Sequence, residues 1–207
     1  MTKYEYSPYY MIRYKETNEI IYVRDDIKGK FDHFIFEENR FEPIIDKGLM
    51  HHVREAFLGD EPLYMFSEDV INIIGRAIER IKKAHSGQKD KAGEDYYKHP
   101  IQVARLVEGG YSYIMVALLH DIVEDTETKL EDLHYDDEIV SAIDALTHRK
   151  KENRDVYLKR VKENKIATLV KIADLKHNSM ISRIPNPTKE DYERCEKYLN
   201  EIEYLKK

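Results

Sequence analysis

The segment with the clearest chemical potential runs from Ala117 to Asp125 and has the sequence Ala-Leu-Leu-His-Asp-Ile-Val-Glu-Asp. Each residue of an α-helix turns by about 100°, so the titratable side chains of this segment share one arc and the apolar side chains lie on the other. The titratable set is His120, Asp121, Glu124 and Asp125. Burying such groups unpaired is costly, and a metal ion would remove that cost because carboxylates and neutral imidazole can ligate it together. The alternative is an amphipathic helix whose polar arc is solvated.

A second polar face occurs in the run Lys171-Ile-Ala-Asp-Leu-Lys-His-Asn178. Asp174 and Asn178 are four residues apart and Lys171 precedes Asp174 by three, so a helix places all three on one side. Asp174 could complete a metal sphere, and Asn178 or Lys171 could meet a substrate oxygen. Taken alone, this face is more typical of an ordinary surface helix.

The order of the candidate residues along the chain is similar to a known pattern. His99, which alone would be read as a structural histidine, is followed by His120-Asp121 and then by Asp174. This is the H…HD…D order of the HD-domain metal-dependent phosphohydrolases. Four blocks more closely resemble the hydrolase domain of RelA/SpoT-type alarmone enzymes, in family order: AHSGQ (84–88), GEDYYKHP (93–100), ALLHDIVEDT (117–126) and KIADLKHNS (171–179).

The resemblance, which covers about residues 67–184, implies a helical HD fold and a metal-dependent phosphohydrolase. The implied ligands of one divalent metal ion are His99, His120, Asp121 and Asp174. It also implies that Glu124 and Asp125 position or activate the attacking water. The alarmone hydrolases point to Mn²⁺, while Fe²⁺, Co²⁺ and Zn²⁺ also suit mixed imidazole and carboxylate ligation. The implied substrate is a phosphorylated nucleotide, and guanosine 3′,5′-bis(diphosphate), which would lose its 3′-pyrophosphate, is the first to test.

The chain departs from the alarmone-hydrolase pattern at two positions that concern the base. Asp90 stands where a basic residue is expected, and Leu175 replaces the Arg of the family's ADRLHN block. Lys89 or Lys91 could substitute, although Lys stacks less well than planar Arg. The basic cluster 148–151 could bind remote phosphates or be a solvated helix end. The candidate substrate contacts are thus Lys89, Lys91, Arg149, Lys171 and Asn178.

Two other functions stay open. An HD-type nucleotidase or a phosphatase of another phosphorylated metabolite is favoured by Asp90 and Leu175. A nucleotide-binding regulator without turnover is a different class, and the intact acids Glu124 and Asp125 argue against it, because a binding module does not need them.

The elements that must position these residues fall into two parts, a β-rich appendage at 1–60 and a helical HD domain at 61–207. Residues 8–38 predict two or three antiparallel strands, with a hairpin connection at 16–18, and 49–57 predict a short helix. From Ser67 onward the apolar period is helical. The predicted helices cover 67–86, 94–106, 112–125, a short one ending at 133, 136–147, 153–163, 165–182 and 188–206. The predicted fold is therefore mainly α, with a small N-terminal antiparallel β appendage.

The amino-acid composition argues against several classes of protein. The 207 residues contain 34 Lys and Arg against 40 Asp and Glu, and this net charge of −6 argues against a nucleic-acid partner. The longest apolar run, Ile114 to Leu119, is far shorter than the ~20 residues that span a bilayer, and no secretory signal is visible. One cysteine, Cys195, excludes an internal disulfide framework. We expect a cytoplasmic protein without a membrane partner or a synthetase domain, and a homodimer stays open.

Overall fold

The computed structural model describes residues 9–14, 19–25, 31–35, 40–47, 53, 64–66 and 68–207. The chain divides into two compact units, Met1–Ile78 and Glu79–Lys207. The predicted boundary at residue 60 falls inside the first of these units and stays a prediction. None of the described helices is long and apolar enough to cross a membrane.

The first unit contains an antiparallel sheet with the strand order β4-β3-β2-β1-β5. Its strands are β1 (Tyr9–Tyr14), β2 (Glu19–Asp25), β3 (Phe31–Ile35), β4 (Arg40–Pro43) and β5 (Tyr64–Phe66). The register of β1 and β2 runs from Tyr9 opposite Arg24 to Tyr14 opposite Glu19. The antiparallel strands predicted within 8–38 are confirmed as β1 to β3, whose aromatic and β-branched residues favour a pleated surface.

Two further strands were not predicted, because β4 and β5 are only four and three residues long and too short to show a period. The predicted connection at 16–18 lies outside the described residues. Of the predicted helix at 49–57, only Val53 is described, and it is buried.

The helical part confirms the mainly α fold. Its helices are α1 (Glu68–Ala84), α2 (Lys98–Leu106), α3 (Tyr111–Leu119), α4 (Ile122–Asp125), α5 (Asp137–Leu146), α6 (Arg154–Lys162), α7 (Lys165–Asn178) and α8 (Lys189–Lys206). Short 3₁₀ turns occur at Leu130–Asp132 and Ile181–Arg183. Helices α1, α5, α6 and α8 begin and end within two residues of their predicted ends in the described chain.

Helix α3 forms the centre of the helical unit. Its last six residues, Ile114 to Leu119, are apolar and buried, and the helix packs against α2, α5 and α7. Helices α2 and α7 also contact each other. An all-apolar helix is stable only when neighbours cover every side of it. The packing therefore brings α2, the end of α3 and α7 to one place.

Four predicted helices differ from those observed. The short one predicted to end at 133 is only the 3₁₀ turn at Leu130–Asp132. The helix predicted at 94–106 begins only at Lys98, because residues 89–95 form a tight loop with an isolated bridge between Lys89 and Asp95. The helix predicted at 165–182 ends at Asn178, and the chain continues into a 3₁₀ turn.

The helix predicted at 112–125 is divided into α3 and α4. Asp121, between them, has φ −100° and ψ −5°, away from regular helical values. The backbone N–H of Asp125 still donates to the Asp121 carbonyl at 2.9 Å, so the chain keeps its helical direction through the break. This break lies at the predicted metal ligands.

Candidate metal centre

Three of the predicted ligands converge in the interior of the helical unit. His99 lies in the first turn of α2, His120 directly follows α3, and Asp174 lies in α7. All three are buried, and one ligand atom from each lies within 4.8 Å of the others. The contacts among α2, α3 and α7 thus produce a cluster suited to a metal ion from residues up to 75 positions apart in the sequence.

The fourth predicted ligand, Asp121, lies against the same cluster. Its Oδ2 atom is 2.9 Å from Nε2 of His120 and 3.4 Å from Nε2 of His99. Asp174 Oδ1 is 3.1 Å from His99 Nε2 and 3.8 Å from His120 Nε2. The structure therefore brings together all four residues that the H…HD…D pattern predicts.

The orientation of His120 follows from its other nitrogen. Nδ1 of His120 lies 2.8 Å from the backbone carbonyl of Ala117, which can only accept, so Nδ1 carries the proton. In the neutral imidazole that a metal would bind, Nε2 presents its lone pair to the cluster. This buried atom lies 2.9 Å from Asp121 Oδ2 but makes no well-formed hydrogen bond among the described residues. A buried lone pair beside two carboxylates is the arrangement that a cation would satisfy.

The charges of the cluster also favour a cation. Burial raises the pKa of Asp121, but His120 and His99 outweigh it and hold that pKa well below its usual range. Asp174 is likewise kept ionised, because Lys171 and the two histidines lower its pKa more than burial raises it. In the chain alone, burial lowers the pKa of His120, but Asp121 and Asp174 raise it to about 10.

The donor set fits a divalent transition metal. Two imidazole nitrogens and two carboxylates are the ligand types that Mn²⁺, Fe²⁺, Co²⁺ and Zn²⁺ accept. A metal ion would displace the protons that the histidines otherwise bind, because neutral imidazole is the ligand.

Two hydrogen-bond donors from the same helix hold the carboxylate of Asp174. Lys171 Nζ donates to Asp174 Oδ2 at 2.6 Å, and Asn178 Nδ2 donates to Asp174 Oδ1 at 2.6 Å. The prediction that these three side chains share one face of a helix is confirmed. Both residues predicted as substrate contacts here thus hold a candidate metal ligand.

Tyr96 holds Asp121 in the same way and was not assigned a role from the sequence. Its hydroxyl lies 2.7 Å from Asp121 Oδ2 and 2.9 Å from Asp125 Oδ2. Burial and these two carboxylates raise the pKa of Tyr96 far above its ordinary value, so it remains a proton donor. Its position three residues before His99 in the GEDYYKHP block is the one signal the sequence offers.

Glu124 and Asp125 lie on the exposed side of the cluster. The carboxylate of Glu124 accepts the backbone N–H of His148 at 2.8 Å. Desolvation and the nearby Asp121 raise the pKa of Glu124 against the effect of that N–H. The polar arc of this segment is therefore divided: His120 and Asp121 face the buried cluster, and the two following acids are exposed.

The other three predicted substrate contacts are not part of the cluster. Lys89 pairs with Asp95 at 2.7 Å, and Arg149 donates to both oxygens of Asp144 at 3.0 and 3.1 Å. Lys91 is exposed. No hydrogen bond or ion pair within the described chain joins these three residues to the cluster.

The two departures from the alarmone pattern have structural reasons. Leu175 is 1% exposed, so this position belongs to the core and an Arg there would be buried without an evident partner. Asp90 forms an ion pair with Arg183, which follows α7. His85 is buried against the Tyr96 ring, and Cys195 is buried in α8.

The chain is similar in sequence to several described proteins and in fold to one solved structure. No protein-family model matches the chain. It is 31% identical to a GTP pyrophosphokinase of Streptomyces coelicolor over 160 residues, 70% of this chain and 18% of that protein. It is 31% identical to the bifunctional (p)ppGpp synthase/hydrolase SpoT of Escherichia coli over 128 residues, 54% of this chain and 18% of that protein.

A shorter match has a higher identity. The guanosine-3′,5′-bis(diphosphate) 3′-pyrophosphohydrolase of Aquifex aeolicus is 48% identical over 63 residues, 29% of this chain and 9% of that protein. The chain thus spans less than a fifth of the length of these curated relatives.

A solved structure shares the fold. It is described as a metazoan ortholog of SpoT that hydrolyzes ppGpp, and it matches 64% of this chain and 84% of its own with a TM-score of 0.54 and 21% identity. By sequence, the chain is therefore similar to the RelA/SpoT-type alarmone enzymes, and by fold it is similar to one solved SpoT ortholog.

Proposed function

We propose that this protein is a metal-dependent phosphohydrolase of a phosphorylated nucleotide, with 3′-pyrophosphate removal from guanosine 3′,5′-bis(diphosphate) as the first reaction to test. The observation that carries the proposal is the cluster of buried His99, His120 and Asp174 with partly buried Asp121, beside two exposed acids. The relatives support the substrate, since several are named as guanosine-3′,5′-bis(diphosphate) 3′-pyrophosphohydrolases.

The four clustered residues would hold one divalent ion, with Mn²⁺ as the first candidate. A divalent ion there supplies Lewis-acid polarisation of a phosphoryl group and acidifies water. Tyr96, Lys171 and Asn178 hold the two carboxylates in place through hydrogen bonds of 2.6 to 2.7 Å. Such supporting contacts fix the orientation of ligands and are costly to lose.

Glu124 is our candidate for the group that accepts the proton of the attacking water. A carboxylate whose pKa is raised toward neutrality is a better base than an ordinary one, and the pKa of Glu124 is shifted in that direction. Asp125, bound to the Tyr96 hydroxyl, orients the water beside it. Both acids are exposed, so a substrate could reach them.

The substrate contacts remain predictions. Lys89, Lys91 and Arg149 offer positive charge for the phosphates. To bind substrate, Lys89 would have to release Asp95, and Arg149 would have to release Asp144. Lys171 and Asn178 would act through Asp174. A cytoplasmic location, the lack of a nucleic-acid partner and a homodimer likewise stay predictions.

A phosphatase or nucleotidase acting on another phosphorylated metabolite is the second candidate. The observation that favours it is the ion pair between Asp90 and Arg183, which places an acid where alarmone hydrolases have a basic residue for the base. Leu175, which stands where the family has an Arg, is buried in the core and offers no positive charge for the base either.

A hydrolysis screen separates the candidates. Protein loaded with Mn²⁺ is offered guanosine 3′,5′-bis(diphosphate), other nucleotide phosphates and small phosphate esters, with release of pyrophosphate and phosphate measured separately. We expect pyrophosphate from the first substrate, loss of activity in Asp121→Asn, and a fall of at least about 100-fold in Glu124→Gln, since general bases contribute 10²- to 10⁴-fold. Nucleotide binding without any product would instead support the non-catalytic regulator.

A further inference from the structure

A second histidine lies directly behind the candidate ligand His99. Nδ1 of His99 is 2.7 Å from Nδ1 of His177, and the two rings stack with centroids 5.0 Å apart. Both residues are buried. Two ring nitrogens at this distance must share one proton, because two lone pairs or two N–H groups would repel each other. One histidine therefore donates to the other.

Arg183 indicates which histidine accepts. Its Nη1 atom is 3.5 Å from the same Nδ1 of His177. A guanidinium can only donate hydrogen bonds, so a proton on this nitrogen would face a donor, whereas a lone pair faces it favourably. The arrangement places the lone pair on His177 Nδ1 and the shared proton on His99 Nδ1.

Asp90 holds Arg183 in this position. Its Oδ2 pairs with Arg183, and its Oδ1 accepts the backbone N–H groups of Ala92 and Glu94 at 2.9 Å each. A carboxylate fixed by two backbone donors can hold a guanidinium in one place. Asp90, which departs from the alarmone pattern, is thus connected to His99 through contacts with Arg183 and His177.

We propose that His177 is a positioning residue that keeps the proton of His99 on Nδ1 and directs the Nε2 lone pair of His99 into the metal centre, with Arg183 and Asp90 holding His177. This inference rests on the proposed metal-dependent function. Nε2 of His99 is 3.1 Å from Asp174 Oδ1 and 3.4 Å from Asp121 Oδ2. With the proton on the opposite nitrogen, three acceptor atoms face one point, as metal ligands do.

The test measures Mn²⁺ affinity by calorimetric titration of the full chain. His177→Phe keeps an aromatic ring but loses the acceptor, and we expect affinity to fall 10- to 100-fold, the usual effect of losing such a support. In His177→Asn the amide oxygen can accept in place of Nδ1, so we expect most of the affinity to return. Arg183→Met should weaken binding less than His177→Phe, and Arg194→Met, which removes a 2.7 Å pair with Asp191 in the first turns of α8, should not weaken it.

Equal affinity of His177→Phe and the unchanged protein would overturn the proposal, and so would equal losses in the Phe and Asn variants, since those would indicate packing. If His177→Phe does not fold, ¹⁵N imidazole shifts of the unchanged, Zn²⁺-loaded protein decide the matter. A proton on Nδ1 of His99 supports the proposal, and a proton on its Nε2 refutes it. Protein that binds Mn²⁺ tightly but hydrolyses no phosphate would refute only the proposed function, whereas protein that binds neither metal overturns both.

Discussion

At the scale of single residues, the candidate site depends on how each ligand's remaining atoms are satisfied. Asp174 accepts from Lys171 and Asn178, and Asp121 accepts from Tyr96. Residue spacing predicted that Lys171 and Asn178 face the same way as Asp174. It did not indicate that they bind Asp174, because that depends on packing, which buries Asp174 and leaves Lys171 and Asn178 partly exposed.

Lys171→Met should destabilise the metal-free protein. Lys171 is largely buried and pairs with Asp174 at 2.6 Å, so its loss leaves a buried carboxylate with only the two histidines as charge partners. Breaking such a pair typically costs about 3–5 kcal/mol, which urea unfolding would measure. The matched control is Lys89→Met, which removes an exposed pair with Asp95, worth at most about 1 kcal/mol. Similar losses in the two variants would contradict the structural assignment.

Tyr96→Phe should impair turnover while the protein stays folded. The ring contacts with His85 and His99 remain, but the hydroxyl that joins Asp121 and Asp125 is lost. We expect kcat to fall by at least about tenfold, as for other supports of metal ligands. The unfolding free energy should change by about 1–3 kcal/mol at most. Tyr97→Phe is the neighbouring control, and a kcat as low as that of Tyr96→Phe would refute a specific role for the Tyr96 hydroxyl.

At the scale of elements, specific residues determine where helices α3 and α8 begin. Gly109 has φ +148°, and a Cβ atom built on it would lie 2.3 Å from the Tyr113 ring. Helix α8 follows Pro185 and Pro187 and begins at a capping box formed by Thr188 and Asp191. The glycine at 109 and the prolines before α8 indicate breaks between helices in the sequence. The close approach of Tyr113 to Gly109 could not be predicted from it.

Gly109→Ala should destabilise the helical unit, because the backbone is strained for an L residue and the ring must move. Strained backbone conformations cost about 1–3 kcal/mol each, before any clash is added. Gly110→Ala is the matched control, since nothing lies within 4 Å of its added Cβ. Thermal or urea unfolding of the two variants measures the difference, and an equal loss in both would show that Tyr113 does not constrain residue 109.

Asp191 should make the stability of α8 depend on pH at the acid end. The backbone N–H of Thr188, Arg194 and the Thr188 hydroxyl lower the pKa of Asp191 to about 2. Because this folded-state pKa is below that of the unfolded chain, the contribution is complete above about pH 4 and disappears as pH falls through about 2. Asp191→Asn should therefore be less stable than the unchanged protein at pH 5 and equally stable below pH 2. Glu193→Gln is the control, and a difference that persists below pH 2 would contradict the assignment.

At the scale of the whole molecule, the metal centre connects three helices that are distant in sequence. His99, His120 and Asp174 belong to α2, the end of α3 and α7, so a bound ion would link all three. A ligand that binds only the folded state stabilises it by an amount set by its concentration and affinity. Folding of the helical unit and metal binding should thus be coupled.

Mn²⁺ should raise the unfolding free energy of the full chain by about 2.7 kcal/mol at a concentration 100 times its Kd. Chelation should reverse the effect, and Asp174→Asn should abolish it, since that variant loses a ligand charge. Mg²⁺, which prefers oxygen ligands, serves as the control ion and should stabilise less. Equal stabilisation of Asp174→Asn by Mn²⁺ would show that the ion binds elsewhere.

The sequence by itself determined the four candidate metal ligands and the helical character of the segments around them. Helical periodicity placed Lys171, Asp174 and Asn178 on one face, and the H…HD…D order identified all four residues that converge. These properties are local or follow from a resemblance, so they need no knowledge of packing. It also showed that Asp90 and Leu175 are unusual without explaining them.

The tertiary structure alone decided which side chains meet across helices. The contact of Tyr96 with Asp121, that of His177 with His99 and the pairing of Asp90 with Arg183 join residues 25 to 93 positions apart. It also divided the polar arc after α3 into buried ligands and exposed acids, because the turn at Asp121 and the packing of α3 determine which part of the arc solvent reaches. Such contacts depend on how helices pack, which the spacing of residues along one chain does not specify.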